Sequence, residues 1–311
     1  MRLVSSALFL LLAAPLIGRG GGLENGSKAV LVTGASTGIG RKITERLAAD
    51  GYLVYATARK EEDLKALGTI KNVHPLRLDV TEPADIAAAV ETINKGGSGL
   101  YGLVNNAGVA TVGTIADMSP EEFDLVMKVN AYGPVRMIKA FEPLLIAQKG
   151  RIINIGSISG ILASQNLPAY SMSKHAIEAL TDSLAVQLAE SGVQVSVVEP
   201  GNYNSNIGKS ALARMGADSK AAVATGYKAK ADRSIYKEPD DVAVVVERAL
   251  SDPTAQRRYM VVPNQDEAEI TIKKQIEQLV QLNERQPYSY DRAALVKMLD
   301  DALAQVPPKG K

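Results

Sequence analysis

The eight residues TGASTGIG, Thr33–Gly40, decide how this sequence folds. They follow a short apolar run, Ala29–Thr33, and lead into a helical pattern that begins at Gly38. A glycine-rich turn between a strand and a helix lets the backbone approach a phosphate, and the helix N-terminus offers free N–H groups and partial positive charge. Glycine turns are common after strands, but this placement indicates a dinucleotide-binding βαβ unit.

Outward from this loop, apolar runs alternate with helical patterns. Seven runs predict strands: Ala29–Thr33, Tyr52–Thr57, Val73–Leu78, Gly102–Asn105, Arg151–Ile155, Val193–Val198 and Tyr259–Val262. Near-continuous apolar runs are typical of parallel strands buried on both faces. The alternation therefore predicts an α/β, Rossmann-like, doubly wound fold, with a seven-stranded parallel sheet flanked by helices in a single domain.

The helical patterns complete the predicted domain, which we assign to residues 27–263. The helices predicted between strands are Gly38–Asp50, Pro83–Asn94, Pro120–Gln148, Pro168–Glu190 and Pro239–Ser251. Residues 202–237 interrupt the alternation after the sixth strand, where ligands bind in such folds, and are interpreted as a substrate lid. Residues 264–311 form a C-terminal helical extension, predicted at Ile270–Leu282 and Arg292–Leu303, that could pack against the domain, line the pocket or form a dimer surface.

Residues 1–26 lie outside the predicted domain. Arg2 precedes a mostly apolar stretch, Leu3–Ile17, which is shorter than the about 20 residues that a transmembrane helix needs. The stretch resembles a secretory signal or a marginal membrane anchor, and a start codon placed too far upstream is a third alternative. We expect a cytoplasmic catalytic domain, free or associated with a membrane through residues 1–18. Export is less favoured because it would separate a nucleotide-dependent enzyme from its supply.

Composition excludes several classes of function. The chain has 311 residues, of which 46% are hydrophobic and 22% charged, so a folded core is expected rather than disorder. The formal net charge of +1 gives no basic field for a nucleic-acid partner. There is no Cys, and His74 and His175 are the two histidines, so disulfides and thiolate zinc sites are excluded and no metal site is expected.

The end of the second predicted strand bears on cofactor choice. A site for NAD usually places Asp or Glu here to bind the ribose 2′-hydroxyl. This sequence has Ala58 followed by Arg59 and Lys60. A carboxylate would repel a 2′-phosphate, whereas a guanidinium can pair with it, so the pattern favours NADP(H) over NAD(H). The alternative is that the two basic residues only form a solvated turn.

Tyr170 and Lys174 are the candidate proton-transfer pair. Their i, i+4 spacing places both side chains on one face of a helix. A neighbouring ammonium favours phenolate, so Lys174 is expected to lower the pKa of Tyr170 from about 10 towards neutrality, where it can act as acid or base. Ser157, just past the fifth strand, could hydrogen-bond a substrate oxygen as charge develops. A Tyr-x-x-x-Lys pair alone is weak support for proton-transfer chemistry, because such pairs also occur by chance on surface helices. Its occurrence together with the glycine loop is what favours an enzyme.

These residues resemble, in order and spacing, the motifs of the short-chain dehydrogenase/reductase family. The residues that carry the resemblance are Thr33-Gly34-x-x-x-Gly38-Ile39-Gly40, Asp79, Asn105-Asn106-Ala107-Gly108, Asn130, Ser157, Tyr170-x-x-x-Lys174 and Pro200-Gly201. They span Lys28 to about Ser205. The segment around Arg59 is similar to NADP-preferring members of the hydroxysteroid and retinol dehydrogenase type.

The resemblance implies a set of site residues. The catalytic residues would be Asn130, Ser157, Tyr170 and Lys174, with Asn130 holding a water that links Lys174 to solvent. Ser205 stands where family members often carry Thr. The residues expected to bind the cofactor are Gly34, Ser36, Thr37, Gly38, Ile39, Gly40, Arg59, Asp79, Val80, Asn106, Ala107, Tyr170, Lys174, Pro200, Gly201, Tyr203 and Ser205.

We therefore predict an NADP(H)-dependent oxidoreductase that interconverts an alcohol and a carbonyl, and we expect a homo-oligomer. Apolar residues after Ser157 and after Gly108, among them Ile158, Leu162 and Val112, suit a lipophilic small molecule such as a steroid or retinoid. One alternative is a catalytically idle NADP-binding regulatory protein. Another is an epimerase or dehydratase of the same family that uses transient hydride transfer.

Overall fold

The computed structural model of this protein describes residues 28–216 and 219–306, so the predicted signal or anchor segment lies outside the described residues. Within these ranges seven strands form one parallel sheet with the order β3-β2-β1-β4-β5-β6-β7. The strands are β1 Ala29–Val32, β2 Leu53–Ala58, β3 Val73–Arg77, β4 Gly102–Asn105, β5 Arg151–Ile155, β6 Gln194–Pro200 and β7 Arg258–Val261. The predicted seven-stranded parallel sheet is confirmed.

Helices flank the sheet and extend beyond it. In the described ranges they are α1 Gly38–Ala49, α2 Glu61–Leu67, α3 Pro83–Gly96, α4 Pro120–Asn130, α5 Tyr132–Ala147, α6 Pro168–Gln187, α7 Ile207–Met215, α8 Lys220–Ala224, α9 Tyr227–Lys230, α10 Asp240–Ser251, α11 Gln265–Asn283 and α12 Arg292–Ala304. Helix α2 was not predicted from the sequence, although three acidic residues in its first turn suit a helix N-terminus.

Strand β1 packs against core residues on both of its faces, which explains why its sequence is continuously apolar. Val30 and Val32 pack into one core cluster, together with residues of α1 and α10. Ala29 and Leu31 point to the opposite face and pack with residues of α3, α5 and α6. Successive side chains of a strand alternate between faces, so a strand covered on both sides needs apolar residues throughout. The result is a three-layer domain whose central strands are buried, whereas the edge strand β3 is partly exposed.

One predicted helix, Pro120–Gln148, is wrong as a single element. The structure has two helices, and Ala131, at φ −104° and ψ −56°, separates them. Pro134 explains the break, because its ring in a continuous helix would clash with the carbonyl of Asn130 and its nitrogen could not donate to that carbonyl. In the first turn of α5 the same proline is tolerated.

Residues 202–237, interpreted above as a substrate lid and called the lid segment from here on, contain α7, α8 and α9 and pack against the loop after β4. Arg214 of α7 donates to the carbonyl of Ala110 and pairs with Glu122 at 3.1 Å. Met215 accepts hydrogen bonds at its sulfur from the side chain of Thr111 and the backbone of Val112.

Helices α11 and α12 follow the domain. Across the described ranges, no helix combines the length and the apolar character that crossing a membrane requires.

Candidate active site

The loop between β1 and α1 needs glycine at two positions. Gly34 has φ +65° and Gly38 has φ +56°, a backbone conformation that other residues rarely adopt. A Cβ atom added to Gly34 would lie 2.9 Å from the Cα of Ala107, and one added to Gly38 would lie 3.2 Å from the Cβ of Ser205. The loop therefore depends on glycine for its shape and for the close approach of the loops after β4 and β6.

Asn106 and Thr33 hold this loop in place. The Nδ2 of Asn106 donates to the carbonyls of Thr33 and Gly34, at 2.9 and 3.0 Å. The Oγ1 of Thr33 accepts from the backbone N–H groups of Asn106 and Ala107, at 2.9 and 3.0 Å. A Cβ atom on Gly40 would overlap both Asn106 Nδ2 and the carbonyl of Gly34, so α1 packs closely on the loop itself. Asn106 thus braces the loop.

The N-terminus of α1 suits an anionic group. Gly38, Ile39 and Gly40 begin the helix, so their N–H groups have no partner within it. Thr37 precedes the helix in an extended conformation and makes no capping hydrogen bond with its side chain, and the first turn has no acidic residue. Ser36 and Ile39 are half-buried and Thr37 is exposed. These donors, the helix dipole and the glycine cradle fit a phosphate group of a nucleotide.

The carboxyl ends of β2 and β3 bring Arg59 and Asp79 together. The Nη1 of Arg59 lies 3.5 Å from Asp79 Oδ2, and the Arg59 side chain is 69% exposed. The Oδ1 of Asp79 accepts from the N–H and the hydroxyl of Thr81, at 2.9 and 2.7 Å. Burial alone would raise the pKa of Asp79, but these hydrogen bonds and Arg59 outweigh it and lower the pKa below its usual value. Lys60 pairs with Glu62, also at 3.5 Å, so both cations of this turn are largely exposed and each has one acidic partner.

Val80 is buried beside this pair and packs against α5, where a Cβ atom on Gly133 would lie 2.8 Å from its Cγ2. Its side chain therefore belongs to the core, so the part of Val80 left for the predicted cofactor contact is its backbone.

Ser157, Tyr170 and Lys174 meet where β5 ends against α6. The Nζ of Lys174 donates to the carbonyl of Ile155 at 2.7 Å and lies 5.6 Å from the centroid of the Tyr170 ring. Ser157 hydrogen-bonds the hydroxyl of Tyr170, and its Oγ lies 3.5 Å from the carbonyl of Pro200. The structure therefore places the predicted proton-transfer pair and the predicted substrate-binding hydroxyl in one cluster.

The expected depression of the Tyr170 pKa is wrong for the protein alone. Burial raises the pKa of Tyr170, and the hydrogen bond from Ser157 and the charge of Arg233 only partly oppose this. Burial also lowers the pKa of Lys174 to about 8, against the opposing charge of Glu178. Both groups lose solvation of their charged forms, and the ammonium is directed at the carbonyl of Ile155 rather than at the phenol. Tyr170 therefore keeps its proton at neutral pH.

The side chain of Asn130 is occupied by protein partners. Its Oδ1 accepts from Val109 N–H at 2.8 Å, and its Nδ2 donates to Val109 O at 2.8 Å and to Ser173 Oγ at 3.0 Å. It thus ties the loop after β4 to α6. A water linked to Lys174 would have to use the backbone carbonyl of Asn130, which Pro134 cannot satisfy because proline has no N–H.

The residues after β6 divide into two groups. Ser205 lies against Gly38, as noted above, and Gly201 is so close to Glu267 of α11 that a Cβ atom would overlap its carboxylate. The N–H of Asn202 donates to the same carboxylate at 2.8 Å. The ring of Tyr203 is 1% exposed in the core, and its hydroxyl donates to Asp241 at 3.3 Å. The part of Tyr203 left to flank the cofactor is therefore its backbone, and that role stays a prediction. The carbonyl of Pro200 remains beside Ser157.

Two features of the site were missed in the sequence. The first is Arg233 of the lid segment, whose positive charge opposes the rise in the Tyr170 pKa. No periodic pattern in the sequence indicates that this residue lies near Tyr170. Glu178 and Glu199 form a buried pair below Lys174, and the Nε of Arg258 lies 3.2 and 3.8 Å from their carboxylates. Burial and the mutual repulsion of the pair raise the pKa of Glu199 to about 8. The i, i+4 spacing of Lys174 and Glu178 was a signal that could have found the first member of this pair.

Known proteins are similar to this chain over the part that contains the glycine loop, Ser157, Tyr170 and Lys174. The family model described as short chain dehydrogenase matches residues 28–216. Mitochondrial D-beta-hydroxybutyrate dehydrogenase of Bos taurus is 38% identical over 188 residues, which cover 57% of this chain and 55% of that protein. Retinol dehydrogenase 5 of Mus musculus is 36% identical over 184 residues, which cover 57% of each chain. The chain thus spans a little over half the length of these curated relatives.

Solved structures agree on the fold. A metagenomic short-chain oxidoreductase in complex with NADP is 31% identical, with a TM-score of 0.61, and the match covers 76% of this chain and 98% of that one. Solved structures with this fold hold NAD in one case and NADPH or NADP in others.

Proposed function

Because the chain belongs to the short-chain dehydrogenase/reductase family, we propose that it is an NADP(H)-dependent oxidoreductase that interconverts an alcohol and a carbonyl with Tyr170 as the proton-transferring residue. The observation that carries the proposal is the cluster of Ser157, Tyr170 and Lys174 beside the carbonyl of Pro200. The nicotinamide of the cofactor supplies or accepts the hydride when bound.

The side chains of this chain account for the proton. Tyr170 is half-buried, and loss of solvation raises its pKa, so it holds its proton at neutral pH and is suited to donate it to a carbonyl oxygen. Ser157 hydrogen-bonds the same oxygen as negative charge develops. Lys174, buried one helical turn along α6, stabilises the phenolate that Tyr170 leaves behind. This charge state favours the reductive direction.

The NADP(H) preference rests on Arg59. Its guanidinium lies at the carboxyl end of β2, is largely exposed, and faces a nucleotide site in which Asp79 is fixed by Thr81. Ala58 is small and buried, so no carboxylate stands where one would repel a 2′-phosphate. The phosphates would bind at the amides of Gly38, Ile39 and Gly40.

The substrate is proposed to be a lipophilic small molecule held under the lid segment. Val112 and Ile158 are buried next to the site, and Ile161 and Leu162 are half-buried. One matched relative is named as a retinol dehydrogenase. The homo-oligomer and the membrane association through residues 1–18 stay predictions.

The two alternative functions differ in how Tyr170 is used. A catalytically idle NADP-binding protein would not need Ser157, Tyr170 and Lys174 in one cluster, so the cluster favours the enzyme. An epimerase or dehydratase would return its hydride and consume no NADPH in net turnover.

The test is Tyr170→Phe, with Tyr288→Phe as the matched control because Tyr288 is exposed in the C-terminal extension. Wild type should consume NADPH with some members of a carbonyl panel. Tyr170→Phe should lower kcat by about 10²- to 10⁴-fold, as expected for loss of a general acid, while the Kd for NADPH stays within about twofold of wild type and the control stays active. A variant that retains more than about a tenth of the wild-type rate would contradict the role.

A further inference from the structure

Most of the basic side chains of the lid segment form ion pairs with acidic side chains. Lys209 pairs with Asp232 at 3.0 Å, Lys220 with Asp117 at 2.7 Å, and Lys237 with Asp241 at 2.6 Å. Arg214 pairs with Glu122, as described above. Lys228 is exposed and also has no ion pair among the described residues. Arg233 differs from all of these cations because it is half-buried and none of the described carboxylates forms an ion pair with its guanidinium. Its charge is therefore not neutralised within the described residues.

Neutral oxygens hold the Arg233 side chain in one orientation. Its Nε donates to the carbonyl of Tyr203 and its Nη2 to the Oδ1 of Asn202, both at 3.0 Å. The ring of Tyr236 lies 4.8 Å from its central carbon. These contacts fix one edge of the guanidinium, and Nη1 has no hydrogen-bond partner among the described residues. A fixed, half-buried cation with a free donor is suited to bind an anion.

The anchor points place this cation at the catalytic cluster. Asn202 and Tyr203 follow directly on Pro200 and Gly201, and the carbonyl of Pro200 lies 3.5 Å from Ser157 Oγ. The charge of Arg233 reaches Tyr170, whose pKa is raised mainly by burial and is lowered in part by Arg233. Tyr227 of α9 faces the same space: burial raises its pKa, and Arg233 opposes this. Arg233 thus borders the space in which the reacting carbon would lie.

We propose that Arg233 binds an acidic group of the substrate, so that the preferred substrates are oxo acids and the matching hydroxy acids, with an anionic group a few bonds from the reacting carbon. This inference rests on the proposed function and narrows its substrate class. In the reductive direction the carbonyl carbon receives the hydride of NADPH, the oxygen receives the proton of Tyr170, and the acidic group is unchanged. The apolar side chains of the pocket would hold the rest of the molecule.

The proposal explains why the lid segment holds a half-buried guanidinium that has no ion pair among the described residues. A guanidinium partly removed from water without an anion is unfavourable, and a substrate carboxylate would supply the missing partner in a bidentate geometry that lysine cannot provide.

The test compares each of three oxo acids, with the carbonyl at position 2, 3 or 4, with its neutral ethyl ester. Wild type should give a higher kcat/KM for at least one acid than for its ester. Arg233→Leu should lower that acid-to-ester ratio by about 10- to 100-fold, the range expected for one charge-assisted contact, and Arg233→Lys should retain part of it. Lys209→Leu, which removes an exposed and paired cation of the same segment, should leave the ratio within about twofold of wild type.

Three outcomes would overturn the inference while leaving the proposed function intact. One is that wild type reduces the esters as well as the acids, and another is that Arg233→Leu leaves the ratio unchanged. The third is that Arg233→Leu weakens NADPH binding, measured by its fluorescence, without changing the ratio, because Arg233 would then serve the cofactor phosphates. If no carbonyl compound consumes NADPH, the proposed function itself fails.

Discussion

Helix α10 in the catalytic domain and helix α11 in the C-terminal extension carry aliphatic side chains at the same spacing but bury them differently. Val242, Val246 and Leu250 of α10 recur at i, i+4, i+8 and are fully buried against α1 and the sheet. Ile272, Ile276 and Val280 of α11 recur at the same spacing and are about half exposed. Apolar spacing therefore predicts a helix and its stripe, but it does not say whether another element covers the stripe.

The largest expected effect is a difference in stability when one leucine in each helix is truncated. Leu250 of α10 is 0% exposed and Leu282 of α11 is 78% exposed. Leu250→Ala should lower the free energy of unfolding by about 2–5 kcal/mol, because a buried leucine leaves a cavity. Leu282→Ala should change it by less than about 0.5 kcal/mol. Chemical denaturation measures both. A loss above about 1 kcal/mol at Leu282 would show that another segment or a second copy covers α11.

The next effect concerns exposed cations in the two regions. Arg59 at the end of β2 is 69% exposed and Lys297 of α12 is 74% exposed. Arg59→Ala should lower the ratio of kcat/KM for NADPH to that for NADH by about 10- to 100-fold, because only NADPH presents the 2′-phosphate. Ala58→Asp should reverse the preference. Lys297→Ala is the control. An equal effect of Arg59→Ala on both cofactors would mean that the basic pair is only a solvated turn.

The smallest expected effect is on the pH dependence of stability, compared for an acidic residue of the domain and one of the C-terminal extension. Burial and Glu178 raise the pKa of Glu199 to about 8, whereas Glu269 of α11 is exposed and paired with Lys273. An acid whose pKa is raised by folding contributes stability that is present below its unfolded pKa and is lost as the pH rises through about 8. Glu199→Gln removes this titration and keeps a donor for Glu178.

Relative to wild type, Glu199→Gln should therefore gain free energy of unfolding between about pH 5 and pH 8, on the order of 1 kcal/mol. Denaturation at several pH values measures the gain. The control Glu269→Gln should show no such trend, and a parallel pH dependence of wild type and Glu199→Gln would contradict the buried pair.

The sheet was predictable because its central strands, such as β1 and β2, are covered on both faces and so carry a nearly continuous apolar signal. The cluster of Ser157, Tyr170 and Lys174 was predictable from short spacings in a known family pattern. The break at Ala131 depends on Pro134, whose effect is local and could have been read in the sequence. The position of Arg233 could not, because it depends on contacts thirty residues away, with Tyr203 and Asn202.

The Tyr170 pKa teaches the same distinction between local and tertiary effects. Its spacing from Lys174 is a property of the helix, and it suggested a lowered pKa. The burial that raises the pKa instead depends on how the chain packs around α6, and spacing along one helix does not report it.

The measurement that tests the central claim most directly follows the hydride. Wild-type protein is incubated with a carbonyl compound that it reduces and with NADPH deuterated at carbon 4, using the R and S forms in separate reactions. Mass spectrometry of the product then locates the label. The account predicts that one of the two forms transfers one deuterium per turnover to the carbinol carbon, and that Tyr170→Phe abolishes this transfer. Product without deuterium from either form, or no product with any carbonyl compound, would contradict it.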